Sequence, residues 1–171
     1  TSSEIKSLYS KDSIKVLAGC APCQPFSSYS HSKKEKDPNK YDLLYEFGRL
    51  VKEVKPDIVT MENVTQLVNF KEKPVLQDFI NTLTSTGYEV SVNKVFCPDY
   101  GVPQTRKRLV LLASRLGSIT LIPPTHTKDN YLTVGDVIRD LPPVKAGEGC
   151  PTDPLHRGIA ISPLNMKRIQ A

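Results

Sequence analysis

Apolar residues recur along this chain with two different periods. Short, nearly continuous runs at Ile14 to Ala18, Asp57-Ile-Val-Thr-Met61 and Leu109-Val-Leu-Leu-Ala113 predict buried strands. Between the first two, Leu43, Leu44, Phe47, Leu50, Val51 and Val54 return at steps of three and four. That spacing predicts a helix over 41–55 with one apolar stripe, ended by Pro56. A second helical stripe follows: Val75, Leu76, Phe79, Ile80 and Leu83 share a face, Pro74 suits a first turn and Gly87 suits the exit. Tyr88, Val90 and Val92 alternate, so 88–97 reads as a strand with one face buried. Strand, helix, strand, helix, strand argues for an α/β fold with a parallel sheet. The run at 108–114 follows too closely for a crossover and is expected to turn back as an antiparallel partner.

The tail is less regular. Thr133 is expected to cap a short helix through Asp140, with Val134, Val137, Ile138 and Leu141 inward. Pro142-Pro143 breaks it, 144–160 reads as loop, and Ser162 to Ala171 begins a last helix. The stretch His31 to Lys40 is a charged loop.

Composition narrows the function classes. Among 171 residues, 23 Lys and Arg stand against 18 Asp and Glu, and the net charge of +5 permits a nucleic-acid partner without demanding one. No apolar run of about 18 residues exists to span a membrane, and no signal-peptide pattern opens the chain. Four cysteines, Cys20, Cys23, Cys97 and Cys150, are too few for a disulfide framework and fit a reducing cytoplasm.

The strand order assembles reactive groups. The first strand stops at Gly19, and Pro22 and Pro25 exclude an immediate helix, so Cys23 sits on a constrained loop past a strand end. Glu62 follows the next strand. In a parallel sheet both lie at the carboxyl edge, where ligands collect. With 108–114 turned back, Arg106 and Arg108 start from that same edge. A thiol, a carboxylate and two guanidiniums thus share one cleft. Two other readings exist for the cysteines. Cys20 and Cys23 spell Cys-x-x-Cys, the spacing of thiol–disulfide oxidoreductases, although that motif normally opens a helix and Pro25 with the serines of 27–32 favours a loop. Zinc held by Cys20, Cys23, Cys97 and a histidine would lack a second close pair of ligands. His31, His126 and His156 show no partner in the sequence.

Three stretches, Pro22-Cys-Gln-Pro-Phe-Ser27, Met61-Glu-Asn-Val64 and Gln104-Thr-Arg-Lys-Arg108, occur in the order and at the spacing of the DNA cytosine-5 methyltransferases, which the chain resembles over most of 14–114. The resemblance implies a partial Rossmann-like methyltransferase sheet, parallel with an antiparallel last strand and helices on both faces. It implies that Cys23 is the nucleophile, that Glu62 serves ring nitrogen 3 of cytosine, and that Arg108, aided by Arg106, serves exocyclic oxygen 2. Gln24, Ser27, Asn63 and Gln104 match substrate-binding positions, Pro22 and Leu43 match positions lining the S-adenosylmethionine pocket, and no metal is expected. DNA is the implied partner, with the target base flipped out, and a bacterial restriction–modification enzyme, cytoplasmic and acting on the nucleoid, is the implied setting. A tRNA cytosine-5 methyltransferase shares the three motifs, and an inactive nucleic-acid-binding fragment is a further reading.

The match has gaps. The Gly-rich turn that binds S-adenosylmethionine in relatives is not found; Gly147-x-Gly149 lies in a proline-rich loop. Residues 1–143 are therefore expected to be an incomplete catalytic domain and 144–171 a connection toward a target-recognition region. Further polypeptide, from the same chain or a partner, is expected to complete the sheet, and the 171 residues alone are expected to be inactive.

Overall fold

Residues 1–21, 42–69 and 74–171 are described by the computed structural model. They divide into two units, Thr1–Leu132 and Thr133–Ala171. The first begins with helix α1 (Ser2–Ser7), followed by β1 (Val16–Gly19), α2 (Asp42–Val54) and β2 (Ile58–Asn63). A 3-10 turn (Thr65–Asn69) leads toward α3 (Val75–Ser85), β3 (Glu89–Phe96), a second 3-10 turn (Cys97–Tyr100) and β4 (Lys107–Ser114).

The four strands form one sheet in the order β1-β2-β4-β3. β1 and β2 are parallel, with Gly19 opposite Met61. β4 inserts antiparallel between β2 and β3, pairing Met61 with Leu111 and Val92 with Leu111. This is the expected α/β fold, with parallel and antiparallel strands and β4 turned back. One face of the sheet is dry over its centre. Val59, Met61, Leu109, Leu111 and Ala113, all fully buried, meet Leu44 and Val51 of α2 and Val75, Phe79 and Leu83 of α3 in a single cluster. Each large aliphatic side chain buried there contributes about 1.5–3 kcal/mol. Phe47 stacks on Phe79 with ring centroids 5.5 Å apart. The alternate positions, including Thr60, Glu62, Arg108, Val110 and Leu112, are half-buried.

The strand ends are tied individually. The Lys15 N–H donates to Asp57 Oδ2 at 2.9 Å and the Asp57 N–H donates back to Lys15 O at 2.8 Å. α2 ends with Lys55 in the left-handed region (φ 53°), its N–H bonded to Val51 O at 2.9 Å. Tyr88, 4% exposed, donates its hydroxyl to Pro56 O at 2.5 Å.

Several expectations need correction. The first strand was expected to be buried over 14–18. It begins instead at Val16, because the Lys15 backbone is engaged by Asp57, and it is the outer strand of the described sheet, with Ile14 and Val16 exposed. α1 was not foreseen, although Thr1 and Glu4 form a capping box, a signal readable in Thr-Ser-Ser-Glu. In the second unit, Thr133 does cap α4 (Val134–Ile138), but Val134, Val137, Ile138 and Leu141 are 45–54% exposed rather than inward. A five-residue helix is too short to bury a stripe. The stretch 144–160 is not all loop: β5 (Gly149–Cys150) and β6 (Asp153–Arg157) form a small antiparallel hairpin. α5 (Pro163–Gln170), capped by Ser162, closes the unit.

Candidate active site

The carboxyl edge of β1 and β2 is also the entry edge of β4. Glu62 is the penultimate residue of β2 and Arg108 the second residue of β4. Side chains alternate along strands, and Glu62 stands opposite Val110, so Glu62 and Arg108 occupy the same, half-buried face. They meet: Arg108 Nε lies 2.5 Å from Glu62 Oε1, with side chains 20% and 42% exposed. Arg108 Nη1 also donates to Lys107 O at 2.8 Å, which fixes the guanidinium from its own strand.

β1 brings a third group. Pairing of Gly19 with Met61 leaves Cys20 beside Glu62, and the Cys20 thiol donates to Glu62 Oε2 at 2.8 Å. On the other face of β1, Gly19 permits the close approach of α2. A Cβ there would overlap the Phe47 ring of α2. Asn63, 2% exposed, donates Nδ2–H to Ala21 O at 3.2 Å and accepts the Val64 N–H at 2.9 Å on Oδ1. Its carboxamide thus ties the Glu-Asn-Val segment to the backbone two residues before Cys23.

Pro22, Cys23, Gln24 and Ser27 lie outside the described residues, as does the loop at 31–40. Glu62 and Arg108 are brought together as expected. Gln104 and Arg106 are exposed on the loop before β4, where Gln104 O accepts the Arg106 N–H at 2.7 Å and Arg106 O accepts the Cys97 N–H at 2.9 Å. Leu43 sits in the first turn of α2 and is 48% exposed. The Cys20–Glu62 contact was not anticipated, because the sequence presented Cys20 only as half of a Cys-x-x-Cys pair or as a zinc ligand. The signal lay in the strand register. Among the described residues no cluster of three or more His, Cys, Asp or Glu could hold a metal ion, and no helix is long and apolar enough to cross a membrane.

A carboxylate gripped by a guanidinium on one oxygen and a thiol on the other can serve a polar ring edge. It presents an acid–base group beside a cation, next to the end of β1, three residues before Pro22 in the sequence.

The family model of the C-5 cytosine-specific DNA methylases matches residues 1–156. The chain is similar to the Type II methylase M.HgiDII of Herpetosiphon aurantiacus, 46% identical over 167 residues, which is 98% of this chain and 47% of that protein. It is also similar to the Type II methyltransferase M.XorII of Xanthomonas oryzae, 35% identical over 134 residues, covering 77% of this chain and 31% of that one. The chain thus spans less than half the length of these relatives. Among solved structures, a DNA modification methyltransferase encoded within a prophage (E. coli) superposes with a TM-score of 0.64 at 26% identity, over 84% of this chain and 40% of that one. With a family model matching residues 1–156, nearly the whole sequence, the chain belongs to the C-5 cytosine-specific DNA methylase family.

Proposed function

We propose that this chain carries the catalytic edge of a Type II DNA cytosine-5 methyltransferase, which moves a methyl group from S-adenosylmethionine to carbon 5 of a flipped-out cytosine. The observation that carries the reading is the Asn63–Ala21 hydrogen bond. It anchors Ala21, two residues before Cys23 in the sequence, to the segment that holds Glu62, and Glu62 is already paired with Arg108.

The chemistry follows from the ring. Carbon 5 of cytosine is a weak nucleophile. The Cys23 thiolate adds to carbon 6, and the electron pair of the 5,6 double bond shifts toward carbon 5 and ring nitrogen 3. Glu62 donates a proton or hydrogen bond at nitrogen 3, and Arg108 faces exocyclic oxygen 2, so both meet charge where it builds up. S-adenosylmethionine supplies the methyl group. The carbon 5 proton then passes to water, its electron pair re-forms the 5,6 double bond, and the Cys23–carbon 6 bond breaks with its electrons on sulfur, which restores the ring. Cys20 and Asn63 position the carboxyl and the loop, and Gln104 and Arg106 serve the nucleic-acid backbone from the β4 entry loop. Of the residues expected at the methyl donor, Leu43 is described, and its side chain is half exposed in the first turn of α2, free to offer an apolar contact.

The test is covalent trapping. In the intact protein, Cys23→Ala is expected to abolish methyl transfer and the adduct on duplex DNA carrying 5-fluorocytosine, whose fluorine cannot leave as a proton does. An adduct formed by the alanine variant would show that another residue is the nucleophile. Running tRNA beside duplex DNA decides the substrate class.

A further inference from the structure

A second polar feature lies at the same sheet edge, on the opposite face. Lys107 stands opposite Phe96, and Lys94 opposite Leu109, so these side chains share the face that Glu62 and Arg108 avoid. There, a groove of about 430 Å³ is lined by Thr65, Gln66, Asn69, Lys94, Phe96 and Lys107. Among the described residues of that lining, every polar side chain can donate a hydrogen bond, two are ammoniums, and none is a carboxylate. The Lys107 ammonium lies 5.7 Å from the centre of the Phe96 ring, which holds it over an apolar floor.

We propose that this groove seats phosphodiester groups of the nucleic-acid strand that flanks the reacting base. The proposal rests on the functional reading above in taking a nucleic acid as the substrate. Lysine ammoniums are compact point charges that suit phosphate oxygens without demanding one geometry. Hydroxyl and carboxamide donors supply the remaining contacts usual at a sugar–phosphate backbone. Among the described lining residues there is no arginine fork of the kind that reads a guanine edge bidentately. Lys107 and Arg108 are neighbours in sequence on opposite faces of β4. A strand that delivers its base to Arg108 passes its flanking phosphates over the sheet edge toward Lys107 and Lys94.

The experiment is equilibrium binding of duplex DNA of several sequences to the intact protein and to a Lys94→Gln, Lys107→Gln variant, at 50 and 200 mM salt. The variant is expected to bind every sequence about tenfold more weakly at the lower salt. Its loss of affinity between the two salts is expected to be about tenfold smaller than wild type's, since two lost phosphate contacts release two fewer counterions. Each single variant should remove about half of the change in salt slope. Unchanged affinity and slope overturn the proposal, as does a loss confined to one sequence, which marks base reading instead. Tight binding of inorganic phosphate or a nucleoside monophosphate without DNA, abolished in the variant, also overturns it, because the groove is then a small-ligand site. The readout is binding, so it is separable from the trapping experiment: failure of Cys23 as nucleophile leaves the salt slope untouched.

Discussion

The Cys20 thiol donates to Glu62 Oε2 at 2.8 Å while Arg108 Nε holds Oε1 at 2.5 Å, so the carboxyl is gripped from β1 and from β4 at once. Cys20→Ala removes one of those donors. Single-turnover methyl transfer is expected to slow by about three- to tenfold, the equivalent of about one hydrogen bond. Cys20→Ser keeps a donor and is expected to recover most of the rate. Equal losses in the two variants would reduce Cys20 to a packing residue.

The Glu62–Arg108 couple is expected to act as a unit. Glu62→Gln and Arg108→Ala should each lower kcat by about 10²-fold or more. The double variant should lose much less than the product of the two, because each single change already disrupts the pair. Stability is a different matter: the pair is partly exposed, and its loss should cost no more than about 1 kcal/mol by denaturant titration. Strictly multiplicative rate losses would mean that the two residues work independently.

Gly19 sets the distance between β1 and α2. A side chain there meets the Phe47 ring, which is itself stacked on Phe79. Gly19→Val is expected to destabilise the first unit by about 1–3 kcal/mol through overpacking, and to weaken trapping by displacing the strand end that carries Cys20. Gly19→Val combined with Phe47→Leu should restore part of the stability. A Gly19→Val protein with wild-type melting would contradict the close approach.

Tyr88 offers a pH probe. Burial is the main cause that raises its phenol above the ordinary 10.0. The folded state therefore holds the phenolic proton more tightly than the unfolded chain. This contribution to stability is fully present below about pH 10. It is lost as pH rises through the elevated value. Tyr88→Phe removes that alkaline dependence and leaves Pro56 O without its donor, at a cost of about 1–3 kcal/mol at neutral pH. Denaturant midpoints measured from pH 7 to 11 check both parts, and parallel curves for the two proteins would refute the assignment.

Much of the first unit was legible because its strands and helices carry their periods openly. The stripe of α3 buries Val75, Phe79 and Leu83 as read, whereas the run at 109–113, expected to be buried throughout, buries Leu109, Leu111 and Ala113 and leaves Val110 and Leu112 half-buried on the other face. The meeting of Glu62 with Arg108 followed from strand direction alone. Cys20 did not, because it touches Glu62 across 42 positions through a register that local pattern does not encode. The exposure of Val16 was hidden for a related reason. Hydrophobic content predicts a strand but not its place in the sheet. Val134, Val137 and Ile138 repeat at helical spacing, yet so short a helix covers none of them.

β4 also has a consequence for how activity can be lost far from the chemistry. Its core-facing residues, Leu109, Leu111 and Ala113, alternate with Arg108 and Val110, and pairing on both sides locks that alternation. A slip of one residue would drive Arg108 into the hydrocarbon layer and turn Leu109 to the open face. The oily side of the strand is therefore the sight by which the guanidinium is aimed. Substitutions at Leu109 or Leu111 that never touch a nucleotide can blur that aim before they unfold the protein.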